Sequence, residues 1–224
     1  MALKPFEKWT NEALDTLLGY IRIYGDFAPL SDWLSATTPT VPDSALLAAE
    51  PLRMHLGLAV DSFNEDELKM QFIAPLLLIV NFTKFNKYRL FSQRKIGTMV
   101  TLVNGTADLL AGRVEAMVAL GRQNPSHPYF FIHEYKPFSK STPSDPLGQL
   151  VAAMIVAQIE NADQKPIYGL YVMGQYWSFV TLIGKEYSQS RSYDATKLDD
   201  LKRILQALFW VKQYIEHRID TDNV

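Results

Sequence analysis

Near Tyr88 the apolar pattern of this chain changes period, and that change restricts the available folds more than any other feature. Before it, apolar residues recur at three and four. Phe6, Trp9, Ala13, Leu14, Leu17, Leu18 and Ile21 form one such helical stripe, and the loop-like run from Ala36 to Pro42 separates two helical pieces. Asp61-Ser62, with Asn64 and an acidic first turn, opens a further helix. Leu68, Phe72, Leu76 and Ile79 line one face of it as far as about Phe82. After Tyr88 come β-branched and aromatic runs broken by glycine, which predict strands over 94–103, 106–114 and 129–135. Helical spacing returns over 146–161, with Asp145 as its cap. Strands follow over 167–173 and 177–183, joined by a turn at Gly174-Gln175-Tyr176. A long amphipathic helix closes the chain over 196–218, with Leu198, Leu201, Ile204, Leu205, Leu208, Val211 and Ile215 on its buried side. This order predicts a single α/β domain: a helical N-terminal extension (1–60), an α/β core (61–190) and a C-terminal helix (191–224).

A chain of 224 residues, 48% apolar and 21% charged, can bury one sizeable core, which excludes disordered and fibrous classes. There is no cysteine, so a disulfide framework, a thiol nucleophile and a thiolate-bound metal are excluded. Any metal would sit on oxygen or on the four histidines, and these share no ligand spacing. The longest aliphatic stretch, Ile73 to Val80, is too short to cross a bilayer, and Lys4, Glu7 and Lys8 interrupt the N-terminus, so a cytoplasmic protein without membrane contact is expected. Twenty-two basic against 24 acidic residues leave a net charge of −2, so a polyanion would have to be bound by a local patch. The acid-free run Lys84, Lys87, Arg89, Arg94, Lys95 is either such a patch or a solvated loop.

Chemistry concentrates on the strand Tyr129-Phe130-Phe131-Ile132-His133-Glu134-Tyr135-Lys136. Glu134 and Lys136 stand two apart and so share a face, whereas His133 points the other way as an ordinary strand residue. Ten Glu and thirteen Lys give about one Glu-x-Lys by accident, and Glu67-Leu68-Lys69 is another, so context must carry the argument. That context is a second acid, Asp108, on the neighbouring strand, twenty-six positions earlier among apolar residues.

In these residues the chain resembles the restriction-endonuclease-like nuclease superfamily, with its signature of Asp, then Asp or Glu, any residue, and Lys. The resemblance covers about residues 61–190 and implies a restriction-endonuclease-like αβββαβ core with a mixed central sheet. It gives Asp108 the place of the first acid, Glu134 the second and Lys136 the Lys, and puts Gln149 where many members carry a helix Gln. Many relatives add a Glu on the first core helix. Of Glu65 and Glu67 we favour Glu65, which lies three, seven and eleven residues before Leu68, Phe72 and Leu76; its other reading is a carboxylate at a helix N-terminus. The segment 64–77 also resembles the start of nuclease domains in type I restriction subunits.

The resemblance implies metal-dependent hydrolysis of nucleic-acid phosphodiesters, with DNA the expected substrate and a homodimer or additional subunits possible. It implies Mg²⁺ or Mn²⁺, one ion or two, on Glu65, Asp108, Glu134 and the backbone carbonyl of Tyr135. Lys136 would orient water and offset charge at phosphorus, and Gln149 would position water or phosphate, unless it is plain helix surface. The second expectation is a non-catalytic nucleic-acid-binding or assembly module. The aromatics Tyr168, Tyr171, Tyr176, Trp177 and Phe179 read as sheet packing rather than base-stacking platforms.

Overall fold

A computed structural model describes residues 5–136 and 145–222, so the segment between Lys136 and the helix capped by Asp145 lies outside the described residues. The N-terminal stripe does not form one helix. A 3₁₀ turn at Phe6–Lys8 precedes α1 (Asn11–Leu18), which Thr10 caps by accepting from the Ala13 amide. Gly19, at φ 69°, ends it in the left-handed conformation that glycine adopts without penalty. Phe6, Trp9, Ala13, Leu14 and Leu18 are buried as expected, but Leu17 and Ile21 are exposed, because the chain turns at Gly19 and continues as a two-residue strand, β1 (Ile21–Arg22). Helices α2 (Ala28–Ser35) and α3 (Asp43–Ala59) flank the expected loop.

The next helix is α4 (Glu65–Leu68), continued through a π-helical turn at Lys69–Ile73 into α5 (Ala74–Val80). Three strands follow: β2 (Tyr88–Thr101), β3 (Ala107–Leu120) and β4 (Ser126–Lys136). Then come α6 (Pro146–Asn161), β5 (Ile167–Met173), β6 (Tyr176–Ile183), β7 (Glu186–Gln189), β8 (Tyr193–Asp194) and α7 (Leu198–Asp222). The basic run 84–95 is therefore mostly strand rather than loop. The mixed sheet has the order β1-β7-β6-β5-β4-β3-β2, with β8 on β6. Hairpins join β2 to β3 and β5 to β6 antiparallel, while β4 and β5 run parallel because α6 carries the chain across the sheet between them.

Both faces are covered. One packs against α2 to α5 and α7 through Trp33, Phe72, Phe131, Phe179 and Leu205; the other packs against α6 and the N-terminal turn and helix through Leu14, Met117, Val151 and Val180. Each fully buried large apolar side chain contributes about 1.5–3 kcal/mol. On α7 the expected apolar face is buried except Leu198, which opens the helix and is exposed. Tyr168, Trp177 and Phe179 are buried against Trp33 and Phe72, as sheet packing requires.

The N-terminal segment is held at one point by α6. Asp145 caps α6 through the Gly148 amide and also accepts from the backbone and side chain of Asn11. A Cβ at Gly148 would lie 2.6 Å from the Trp9 carbonyl oxygen and 2.7 Å from Thr10 Cα, so only glycine lets the two backbones meet. Gly148→Ala should therefore cost about 1–3 kcal/mol in urea denaturation, with hydrogen exchange accelerating first over residues 5–20; unchanged protection there would refute the clamp.

Candidate functional site

The sheet forks, and the charged residues stand at the fork. The β3–β4 ladder runs from Leu120 opposite Ser126 to Ala116 opposite His133 and stops. Beyond it, among the described residues, β3 pairs with β2 alone, and Glu134, Tyr135 and Lys136 pair with β5 alone. Glu134 is the first β4 residue past the split, and Glu115 is the first past it on β3. At that point Gln93 of β2, with φ 54°, donates to the Glu115 carboxylate at 2.6 Å.

Glu65 reaches the fork from the start of α4. Asn64 and Glu67 form a reciprocal capping box, each side chain bonding the other's amide at 2.8 and 2.9 Å. Glu67 is consumed by that cap, which leaves Glu65 as the helix carboxylate of the cluster. Lys69, one turn later, is gripped by Glu65 at 2.5 Å and Glu115 at 2.6 Å. Lys136 pairs with Glu134 at 2.8 Å, on the shared face expected of an i, i+2 pair. Three carboxylates and two ammoniums thus stand around the fork in two ion-paired groups, Glu65–Lys69–Glu115 and Glu134–Lys136.

Electrostatics tie the five together. Burial pushes the Glu134 carboxyl up to about 7, against the pull of Lys136, and the charges of Glu115 and Glu65 push the same way. Burial would lower Lys136, but Glu134, Glu65 and Glu115 outweigh it and raise its affinity for the proton. The same balance raises Lys69 through Glu115 and Glu65. On the opposite face His133 is wholly buried, holds the Tyr135 hydroxyl at 2.6 Å through Nδ1 and is pushed down to about 3 by desolvation, so it stays neutral. Beside the cluster lies a cavity of about 390 Å³ whose wall includes Asp66, Lys69, Leu77, Glu115 and Tyr135.

Asp108 does not belong to this cluster. It lies opposite Val100 in the arm formed by β2 and β3, and its carboxylate accepts from the Leu109 amide at 2.8 Å. Eight residues separate it from Ala116, or about 26 Å of strand at roughly 3.3 Å per residue. The expectation of a neighbouring strand was correct and the register was not, because β3 continues to Leu120 instead of ending at Val114. Glu115 fell just beyond the expected strand. Its signal was a lone carboxylate inside the apolar run from Val114 to Leu120. Gln149 is buried in α6 rather than on a helix surface.

The donor set is oxygen only, as a hard divalent cation requires. Among the described residues, no three acidic or imidazole side chains are placed to hold a metal ion, and each carboxylate of the cluster is paired with a lysine. No protein-family model matches the chain, and no curated protein matches it in sequence. No helix among the described residues is long and apolar enough to cross a membrane.

A carboxyl raised by folding holds its proton more tightly folded than unfolded. Its contribution to stability is therefore complete below about 4.5 and is lost as pH rises through about 7. In chelator, the wild-type urea midpoint should fall between pH 5 and pH 8, and Glu134→Gln should remove much of that fall. An equal slope in both proteins would show that Glu134 is not the group responsible.

Proposed function

We propose that this chain is a metal-dependent nuclease with a restriction-endonuclease-like core, acting on DNA phosphodiester bonds. The observation that carries the reading is the meeting of Glu65, Glu115, Glu134 and Lys136 at the fork of the sheet. Two strand acids, one followed at i+2 by a lysine, stand beside a helix acid on an α-β-β-β-α-β succession. Glu115 here takes the role that the sequence suggested for Asp108.

Glu65, Glu115, Glu134 and the Tyr135 carbonyl would hold Mg²⁺ or Mn²⁺. The ion, when bound, supplies Lewis-acid stabilisation at phosphorus and makes water more acidic. Glu134 sits on a strand bonded to β5, which fixes its position to within a rotamer. Lys136, on the same face and held by Glu134, presents an ammonium that can orient attacking water and offset charge accumulating on the phosphoryl oxygens. The shallow burial of the cleft strengthens both effects relative to bulk water.

A basic surface on β2 and β3, reaching from the β3–β4 turn toward Gln93, supports a polyanionic substrate. Arg113 donates to the Gln93 carbonyl, Arg94 to Gln123 and Arg89 to Arg122, and among the described residues none of the three is ion-paired with a carboxylate. Arg89 and Arg94 both lie over the Phe91 ring, which holds the guanidinium planes in place. Gln93 links this arm directly to Glu115. Lys87 is spent on Asp220 instead.

The second reading is a nucleic-acid-binding or assembly module without turnover, and the pairing of all three carboxylates with lysines favours it. Cleavage of plasmid DNA in Mn²⁺ separates the two. Glu115→Gln, Glu134→Gln and Lys136→Ala should each reduce cleavage at least about a hundredfold, in line with loss of a transition-state contact, and Asp108→Ala should leave it within about twofold. Wild-type protein that binds DNA but never cuts it would favour the second reading, and full activity in Glu115→Gln would discard the site.

A further inference from the structure

Lys69 is the one member of the cluster with no part in the proposed chemistry, yet it makes the cluster's two shortest contacts. Its ammonium sits between Glu65 of α4 and Glu115 of β3, at 2.5 and 2.6 Å, bridging two elements that no backbone ladder joins. A cation of one charge thus occupies the space between two of the three carboxylates assigned to a divalent ion. Resting on that assignment, we infer that Lys69 is a built-in counter-cation, which competes with the metal for Glu65 and Glu115 and must swing out before the ion can be held.

Three features of the chain fit this role. Without Lys69 the cluster carries three carboxylates against Lys136 alone, so the attraction for a doubly charged ion grows by one unit of charge when the ammonium leaves. Lys69 begins the π-helical turn Lys69–Ile73, a local widening of the helix that often marks a functional position, whereas Lys136 is fixed on a strand paired to β5. The outward path also has an acceptor: Asp66, three residues earlier on the same helix, lines the 390 Å³ cavity together with Lys69. An ammonium released from Glu115 can pair there without leaving the protein.

Competition of this kind lowers apparent metal affinity by the fraction of molecules whose lysine is out. It is measured without turnover, by calorimetric titration of Mn²⁺ into wild type, Lys69→Met, Lys69→Gln and Lys69→Arg, each with and without Glu115→Gln. Lys69→Met and Lys69→Gln should bind at least about tenfold tighter than wild type, and Lys69→Arg should not. Glu115→Gln should remove the tight binding in every background. Mn²⁺ should also raise the melting temperature of the neutral variants more than that of wild type. If all four proteins bind equally, or the neutral variants bind more weakly, while Glu115→Gln still abolishes binding, the counter-cation role is wrong and the metal site stands. If no protein takes up Mn²⁺, or Glu115→Gln changes nothing, the metal site itself is wrong and the role of Lys69 falls with it. Should Met disrupt folding at this position, Gln supplies the neutral side chain.

Discussion

Where the β3–β4 ladder ends, the sheet holds carboxylates that it cannot satisfy with its own amides, and the rest of the site follows from that constraint. Past Ala116 and His133 each strand keeps one neighbour among the described residues, so the edges that would have paired now face a cleft. Glu115 and Glu134 stand at those edges, and the bend of β2 at Gln93 turns an amide toward the first of them. Burying acids without partners would cost several kcal/mol each. Lys69 and Lys136 offset that cost, one from the helix that covers the fork and the other from the strand itself.

Most of the fold was legible, because long periodic segments state their own geometry. The helix over 146–161, the strands 167–173 and 177–183, and the buried stripe of α7 from Leu201 onward stand where the sequence put them. Capping chemistry was legible too, in Asp145 and in Asn64. Short elements were not. Strand β1 has two residues, and its pairing with β7 depends on a partner 165 positions away, which no local period announces. The N-terminal stripe was misread past Leu18, because a glycine in the left-handed region redirects the chain whatever the spacing of the residues around it.

At the fork, the pairing of Glu134 with Lys136 was legible and the nearness of Glu115 was not, for a physical reason. An i, i+2 relation is fixed by the pleat of one strand, so Glu134 and Lys136 had to share a face. The relation between β3 and β4 is a register, set by where the turn falls and how far each strand extends; bulges at Val118/Ala119 and Ala119/Leu120 shift it further. Asp108 and Glu115 are both acids on β3, seven residues apart, an odd separation that puts them on opposite faces, so register and face together choose between them. The placement of the helix acids follows from local rules, because capping and packing faces are local: Glu67 answers Asn64, and Glu65 turns to Lys69 at the cleft.

The two lysines are chemically alike and mechanically different, and that difference gives the cleft its direction. Lys136 continues a strand hydrogen-bonded to β5, so its backbone cannot move without breaking the parallel pair that α6 was built to connect. Lys69 stands on a π-helical turn at the edge of a cavity, with its charge shared between a helix and a strand that touch only through side chains. A cation arriving from solvent meets a fixed ammonium on one side and a movable one on the other. In the proposed exchange, a rotation of Lys69 toward Asp66 would open Glu65 and Glu115 while Glu134 and Lys136 keep their geometry. On that proposal, the strand half would hold the reacting groups in place while the helix half absorbs the change in charge.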